Sequence, residues 1–127
     1  MLRAAAFVSF LGATDLERAR EFFEGRLGLE VASVDDFALV LRGPNGSIRV
    51  TRVEQAVSAP YTVLGWDVPD IRSAVSALAQ RGLVFTRYPG MDQDELGIWT
   101  APSGSRIAWF RDPDQNVLSL AEHPTEA

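Results

Sequence analysis

The chain has 127 residues, no cysteine, a formal charge of −5 and a pI near 4.8. Disulfides, thiolate catalysis and cysteine-ligated metals are thereby excluded, and nucleic acid is a poor partner because its phosphates call for a basic face. The length fits one domain, or two small modules sharing a core, able to bury roughly two thirds of the unfolded surface. No apolar run approaches the ~20 residues that span a membrane, and no cleavage-like segment precedes the first strand. A cytoplasmic protein with no membrane or nucleic-acid partner is the expectation, and the lack of cysteine suits a reducing compartment.

Residues 4–12 are apolar and rich in small and aromatic side chains, the pattern of a buried strand. Thr14-Asp15-Leu16-Glu17 reads as a capping box, with the Thr hydroxyl and the Glu carboxylate on the first free amides of a helix. Leu16, Ala19, Phe23 and Leu27 recur at helical spacing, and Gly28 follows as a stop. Strands are predicted over 29–34, 37–42 and 47–53, the last two joined by the turn Gly43-Pro44-Asn45-Gly46. The order is β-α-β-β-β. Residues 54–60 lack periodicity and read as a linker.

A strand at 61–68 then leads to a second helix, for which Asp67 can serve as cap with Pro69 in the first turn. Ile71, Ala74, Val75, Leu78 and Ala79 form its apolar stripe, closed by Gly82. The remaining strands are predicted over 83–88, 97–101, 106–111 and 117–122. Asp112-Pro113-Asp114-Gln115-Asn116, between the last two, is a dense cluster of turn formers and marks a hairpin. The halves repeat: Asp15 aligns with Asp70, Gly28 with Gly82, and Pro44-Asn45-Gly46 with Pro113-Asp114-Gln115. Such a repeat means that one unit does not bury its own apolar face alone. The extra length of the second copy falls between Pro89 and Ala101.

Asp15-Leu16-Glu17-Arg18-Ala19 leading to Phe22-Phe23 and Leu27-Gly28-Leu29, with Asp112-Pro113-Asp114-Gln115-Asn116 near the end, resembles the vicinal oxygen chelate (VOC) superfamily. That superfamily includes glyoxalase I, bleomycin and fosfomycin resistance proteins and extradiol dioxygenases. The resemblance covers almost the whole chain and implies an α+β fold: two βαβββ modules (about 4–53 and 61–123) forming a cupped mixed sheet with helices outside. It also implies a homodimer, a second chain covering the open sheet edges. Gln115 departs from the family turn, which usually has Gly at a position that favours φ > 0; the cost is about a kcal/mol or a change of turn type.

Family enzymes hold a divalent metal through four strand positions, and the resemblance places these at Val8, Val50, Val63 and Ser119. Valine has no lone pair and serine is a poor ligand for a hard cation, so no metal and no other cofactor is expected. The neighbours Phe7, Ser9, Arg49, Thr51, Thr62, Leu64, Leu118 and Leu120 offer nothing better. A Ser-His-Asp set would have to recruit His123, which reads as a solvated tail residue. There remains a cup lined by Val8, Phe10, Ile48, Val50, Arg52, Tyr61, Val63 and Ser119, with Gly65, Val117 and Ala121 on the same face and Arg52 as the charged orienting group. Trp99 and Trp109 lie on strands whose register the pattern leaves open. The acidic loop 88–96 is expected to close over the cup, with Pro89-Gly90 as hinge and its carboxylates favouring a positive ligand. The function implied is small-molecule binding of the glyoxalase/bleomycin-resistance type, such as antibiotic or metabolite sequestration. The alternative is a VOC-family lyase, isomerase or dioxygenase with a displaced metal or none.

Overall fold

A computed structural model describes residues 1–125 and divides the chain into two compact units, Met1–Ser58 and the unit that starts at Ala59. The division falls inside the stretch read as a linker. In unit 1, β1 (Phe7–Ala13), β2 (Glu30–Val34), β3 (Ala38–Gly43) and β4 (Gly46–Arg52) form a mixed sheet in the order β1-β4-β3-β2. β1 runs parallel to β4, and the other pairings are antiparallel. Between β1 and β2 lies α1 (Leu16–Arg20), which continues as a π-helical segment, Glu21–Arg26. The N-cap is Asp15, not the Thr14 that the sequence pattern suggests: its carboxylate accepts from the amides of Glu17 and Arg18. The Thr14 hydroxyl instead accepts from the Arg18 guanidinium.

The π winding explains why two adjacent phenylalanines are both buried. More residues per turn bring neighbours closer in angle, so Phe22 and Phe23 both face the sheet, edge to face at 5.0 Å between ring centroids. On the sheet Leu11, Leu39, Leu41 and Val50 are also buried, and α1 packs on β3 and β4.

Unit 2 repeats the plan. β5 (Thr62–Asp67), α2 (Ile71–Gln80), β6 (Trp99–Thr100), β7 (Arg106–Arg111) and β8 (Val117–Glu122) give a sheet in the order β5-β8-β7-β6. α2 packs on β7 and β8, and its N-cap is Asp70, whose carboxylate accepts from the Ser73 amide. Asp67, the cap that the sequence pattern suggests, is instead the last residue of β5. Ile71 and Val75 bury against Ala108, Phe110, Leu118 and Leu120, while Trp66 stacks on Phe110 at 6.3 Å. The strand expected at 83–88 is reduced to one bridge, Phe85 to Phe110, followed by a hydrogen bond from the Thr86 amide to the Trp109 carbonyl. β6 takes over the edge beyond it, so two short pieces replace one strand.

The β7–β8 hairpin is closed by Asp112, one of two buried polar residues among those described. Its Oδ1 accepts from the amides of Asp114 (3.0 Å) and Asn116 (2.9 Å), and its Oδ2 from Asn116 Nδ2 (2.8 Å). Burial outweighs these bonds and raises the carboxyl above its ordinary range. Gln115 keeps the left-handed backbone, with φ 70°, that the turn requires.

This turn can be tested in three ways. Gln115→Gly removes the side-chain penalty at positive φ and raises stability by about 1 kcal/mol in urea unfolding. Asp112→Ala leaves two amides without their acceptor and lowers stability by about 3 kcal/mol. Because the folded-state acid is the weaker one, Asp112 binds its proton more tightly in the native state. The stability of the native protein relative to Asp112→Asn is therefore greatest below the ordinary carboxylate range and falls as pH rises through it. Parallel pH series of urea midpoints check the sign.

Candidate functional site

Each sheet has one face under its helix and one face away from it, and strand register decides which residues share the second. In unit 1 the ladder pairs Val8 with Ser47, Phe10 with Arg49 and Leu11 with Val50. Val8 and Phe10 therefore share the open face with Ser47, Arg49 and Thr51, whereas Ile48 and Val50 turn toward the helix. Val50 is 0% exposed, against 50% for Val8 and 68% for Phe10. The expected single lining of Val8, Phe10, Ile48 and Val50 is thus split between two faces. Counting from the flanking turns assumes that β1 and β4 keep the same phase, and their pairing is one residue out.

Arg52 also lies elsewhere. It stands in the wall of a cavity of about 890 Å³ with Asp15, Glu17, Arg20, Asp35, Phe37 and Glu54 among its lining residues. Asp35 there accepts from the amides of Phe37 and Ala38, which hold its carboxyl below the usual range.

Unit 2 assembles more. A register shift at Val63 leaves that residue outside the ladder, after which Leu64 pairs with Leu118 and Gly65 with Ser119. The antiparallel ladder sets Trp109 opposite Ser119 and Ile107 opposite Ala121, and β6 sets Trp99 opposite Ile107. Gly65, Ser119, Ala121, Ile107, Trp109 and Trp99 consequently share the open face. Tyr88 completes the group: its ring meets Trp109 edge to face at 5.5 Å, and Trp99 lies 6.1 Å from Trp109 on the other contact. All three aromatics are half-buried.

The floor beside this aromatic wall is made of small residues. A Cβ at Gly65 would come within 2.7 Å of Ser119 Oγ, so glycine is what leaves that hydroxyl uncovered. Tyr61 precedes β5 and is 66% exposed, and Val117 is buried at the start of β8. This open face thus carries three aromatic side chains, small residues and one hydroxyl, a set suited to a planar, largely apolar molecule. The sequence pattern left the register of Trp109 open, and the alternation of Ile107 and Trp109 against Ala108 and Phe110 is the signal that could have placed it. The two-residue β6 is too short to show Trp99's face in sequence.

The loop between Tyr88 and Trp99 is tied down. Arg72 of α2 binds Asp94 (3.2 Å) and Glu95 (2.9 Å), and the Arg72 guanidinium holds the Glu95 carboxyl below the usual range. Arg87 donates to the carbonyls of Asp94 and Glu95. The Gln93 side chain accepts from the Tyr88 amide and donates to the carbonyls of Thr86 and Gly97. Two of the loop's three carboxylates, Asp94 and Glu95, therefore pair with Arg72, while Pro89 and Gly90 lie outside these contacts.

The donor set does not fit the family's metal. Val8, Val50 and Val63 have no donor atom, Ser119 is a neutral hydroxyl, and no group of three or more His, Cys, Asp or Glu among the described residues is placed to hold an ion.

Two successive βαβββ units, each with a helix over one face of a mixed sheet, define the architecture of the vicinal oxygen chelate class. The chain belongs to the Glyoxalase/Bleomycin resistance protein/Dioxygenase superfamily, whose model matches residues 5–120. Lactoylglutathione lyase from Agrobacterium tumefaciens superposes with a TM-score of 0.74 at 15% identity, covering 96% of each chain. A superfamily member from Sphaerobacter thermophilus gives a TM-score of 0.70 at 23% identity, over 97% of this chain and 100% of that one. One from Alicyclobacillus acidocaldarius gives 0.72 at 17% identity, over 98% and 96%. A search of curated proteins gives no significant match.

Proposed function

We propose that the chain is a metal-free small-molecule binding protein of the glyoxalase/bleomycin-resistance type, which sequesters a planar or largely apolar ligand in a slot framed by Tyr88, Trp99, Trp109 and Ser119 of unit 2. The observation that carries this reading is Ser119. At the position where a family enzyme carries a metal ligand, a small hydroxyl stands opposite Trp109, whose ring in turn meets Trp99 and Tyr88. A stacked ring gains contact on these aromatics without a metal, and the hydroxyl orients one polar edge. The second reading, an enzyme of the same superfamily acting without a metal, draws support from the lactoylglutathione lyase neighbour, which shares the fold.

The neutral planar probe 1-aminoanthracene tests the binding reading through quenching of indole emission. Quenching saturates in the native protein, survives exhaustive chelation, and weakens about tenfold in Trp109→Ala, a loss of ~1.4 kcal/mol. Phe10→Ala in unit 1 leaves it unchanged. Stoichiometric zinc, nickel, manganese or iron in protein purified without chelator would overturn the metal-free assignment.

The protein acts in the cytoplasm as a homodimer on this reading. β1 is an outer strand of its sheet and exposes Phe7, Val8 and Phe10, an apolar edge that a second chain would cover. Light scattering at micromolar concentration is expected to give twice the 13.9 kDa chain mass, and a value near 13.9 kDa would exclude the dimer.

A further inference from the structure

Beyond the slot, the open face of unit 2 continues by one more row of residues. Alternate residues share a face, so Gly65 leads to Asp67 in β5, Ala121 to His123 just past β8, and Ile107 to Ser105 just before β7. These three side chains meet. Ser105 Oγ lies 2.9 Å from His123 Nδ1, and His123 Nε2 lies 3.0 Å from Asp67 Oδ1. His123 is exposed, as its place near the chain end suggests, but both ring nitrogens are engaged by side chains. An ionised carboxylate only accepts, so Nε2 carries the ring hydrogen, and the Nδ1 lone pair is left to accept from the serine hydroxyl. Base, orienting carboxylate and hydroxyl are then in the order that activates a serine, with the two ring nitrogens exchanged relative to the usual triad. All three groups are reachable from solvent. Trp99 pairs with Ile107, two residues from Ser105, which puts the aromatic wall roughly 7 Å along the strand from the hydroxyl.

We propose that Ser105, His123 and Asp67 form a nucleophilic relay that cleaves small aryl esters whose ring rests on Trp99 and Trp109. This rests on the slot being a ligand site. Ser105 Oγ attacks the ester carbonyl carbon as its proton passes to His123 Nδ1. The tetrahedral adduct collapses, the bond from carbonyl carbon to aryl oxygen breaks, and the proton goes from His123 to the departing phenolate. Water then attacks the acyl-serine, giving one proton to His123, which returns it to Ser105 Oγ as the carboxylic acid leaves. Aryl esters are the matching class because a phenolate leaves easily and its ring suits the slot.

The test uses p-nitrophenyl acetate and the 127-residue chain. The native protein is expected to release p-nitrophenolate above the buffer rate, with one acetyl group found by mass spectrometry on the peptide that contains Ser105. The background is low, because the chain has neither cysteine nor lysine, so neither a thiolate nor a lysine amine competes for the acyl group. Ser105→Ala and His123→Gln each lower the protein-dependent rate about 100-fold, and Asp67→Asn about tenfold. Trp109→Ala raises KM with little change in kcat. Circular dichroism of each variant confirms that the exposed substitutions leave the fold intact. If Ser105→Ala keeps the native rate while His123→Gln loses it, the imidazole is itself the nucleophile and the relay is overturned. Quenching by 1-aminoanthracene without ester cleavage overturns the relay but leaves the slot. Ser105-dependent cleavage without quenching, and with KM unmoved in Trp109→Ala, supports the relay and overturns the slot.

Discussion

The carboxylate of Asp112 is the constraint on which unit 2 depends. A hairpin slipped by one residue turns every side chain of its strands to the other face, so the turn that fixes the register also fixes the site. Asp112 collects two backbone amides and the Asn116 side-chain amide within a span of five residues. From that anchor Arg111 meets Val117, Phe110 meets Leu118 under the helix, and Trp109 meets Ser119 on the open face. A buried carboxylate is costly unless its lone pairs are answered, and here the answering donors are the backbone of the turn itself. The same group therefore carries an electrostatic penalty and a geometric benefit, and the raised carboxyl pKa records that the penalty is the larger effect on its titration.

The comparison of the two units shows what a repeat preserves. Helix caps, stop glycines and strand order recur, because each unit meets the same demand to cover one sheet face with one helix. The phase of the first strand against the last does not recur. Unit 2 has a register shift at Val63, and unit 1 has a continuous ladder between β1 and β4. One residue of phase moves Val50 beneath the helix while Ser119 stays on the open face. The units are thus related in topology but not in the chemistry they present.

Much of the fold was legible in sequence because it depends on local rules. The alternation in Arg106–Arg111 and Val117–Glu122, the helical stripe of Ile71 and Val75, and the glycine stops at Gly28 and Gly82 all act within a few residues. The turn chemistry of Asp112 to Asn116 belongs to the same class. The candidate site was less legible because it depends on pairings across the chain. Val8 and Val50 look equivalent until the ladder is known. Asp67 looks like the cap of the second helix, and only the backbone shows that Asp70 faces the helix amides. Ser105, His123 and Asp67 are separated by 18 and 56 positions in their contacts, and no short motif links them.

Gln93 has a consequence for how this surface can diversify. One side-chain amide joins the Tyr88 amide, the Thr86 carbonyl and the Gly97 carbonyl, which closes the base of the loop on itself. Residues 89–92 lie outside this bracket, while Tyr88 and Trp99 lie at its two ends. The tip can therefore lengthen, shorten or change charge without altering the distance between the two aromatics. Recognition at the rim and spacing within the wall are mechanically separate, so relatives with different tips can keep one gauge of ring while changing what surrounds it.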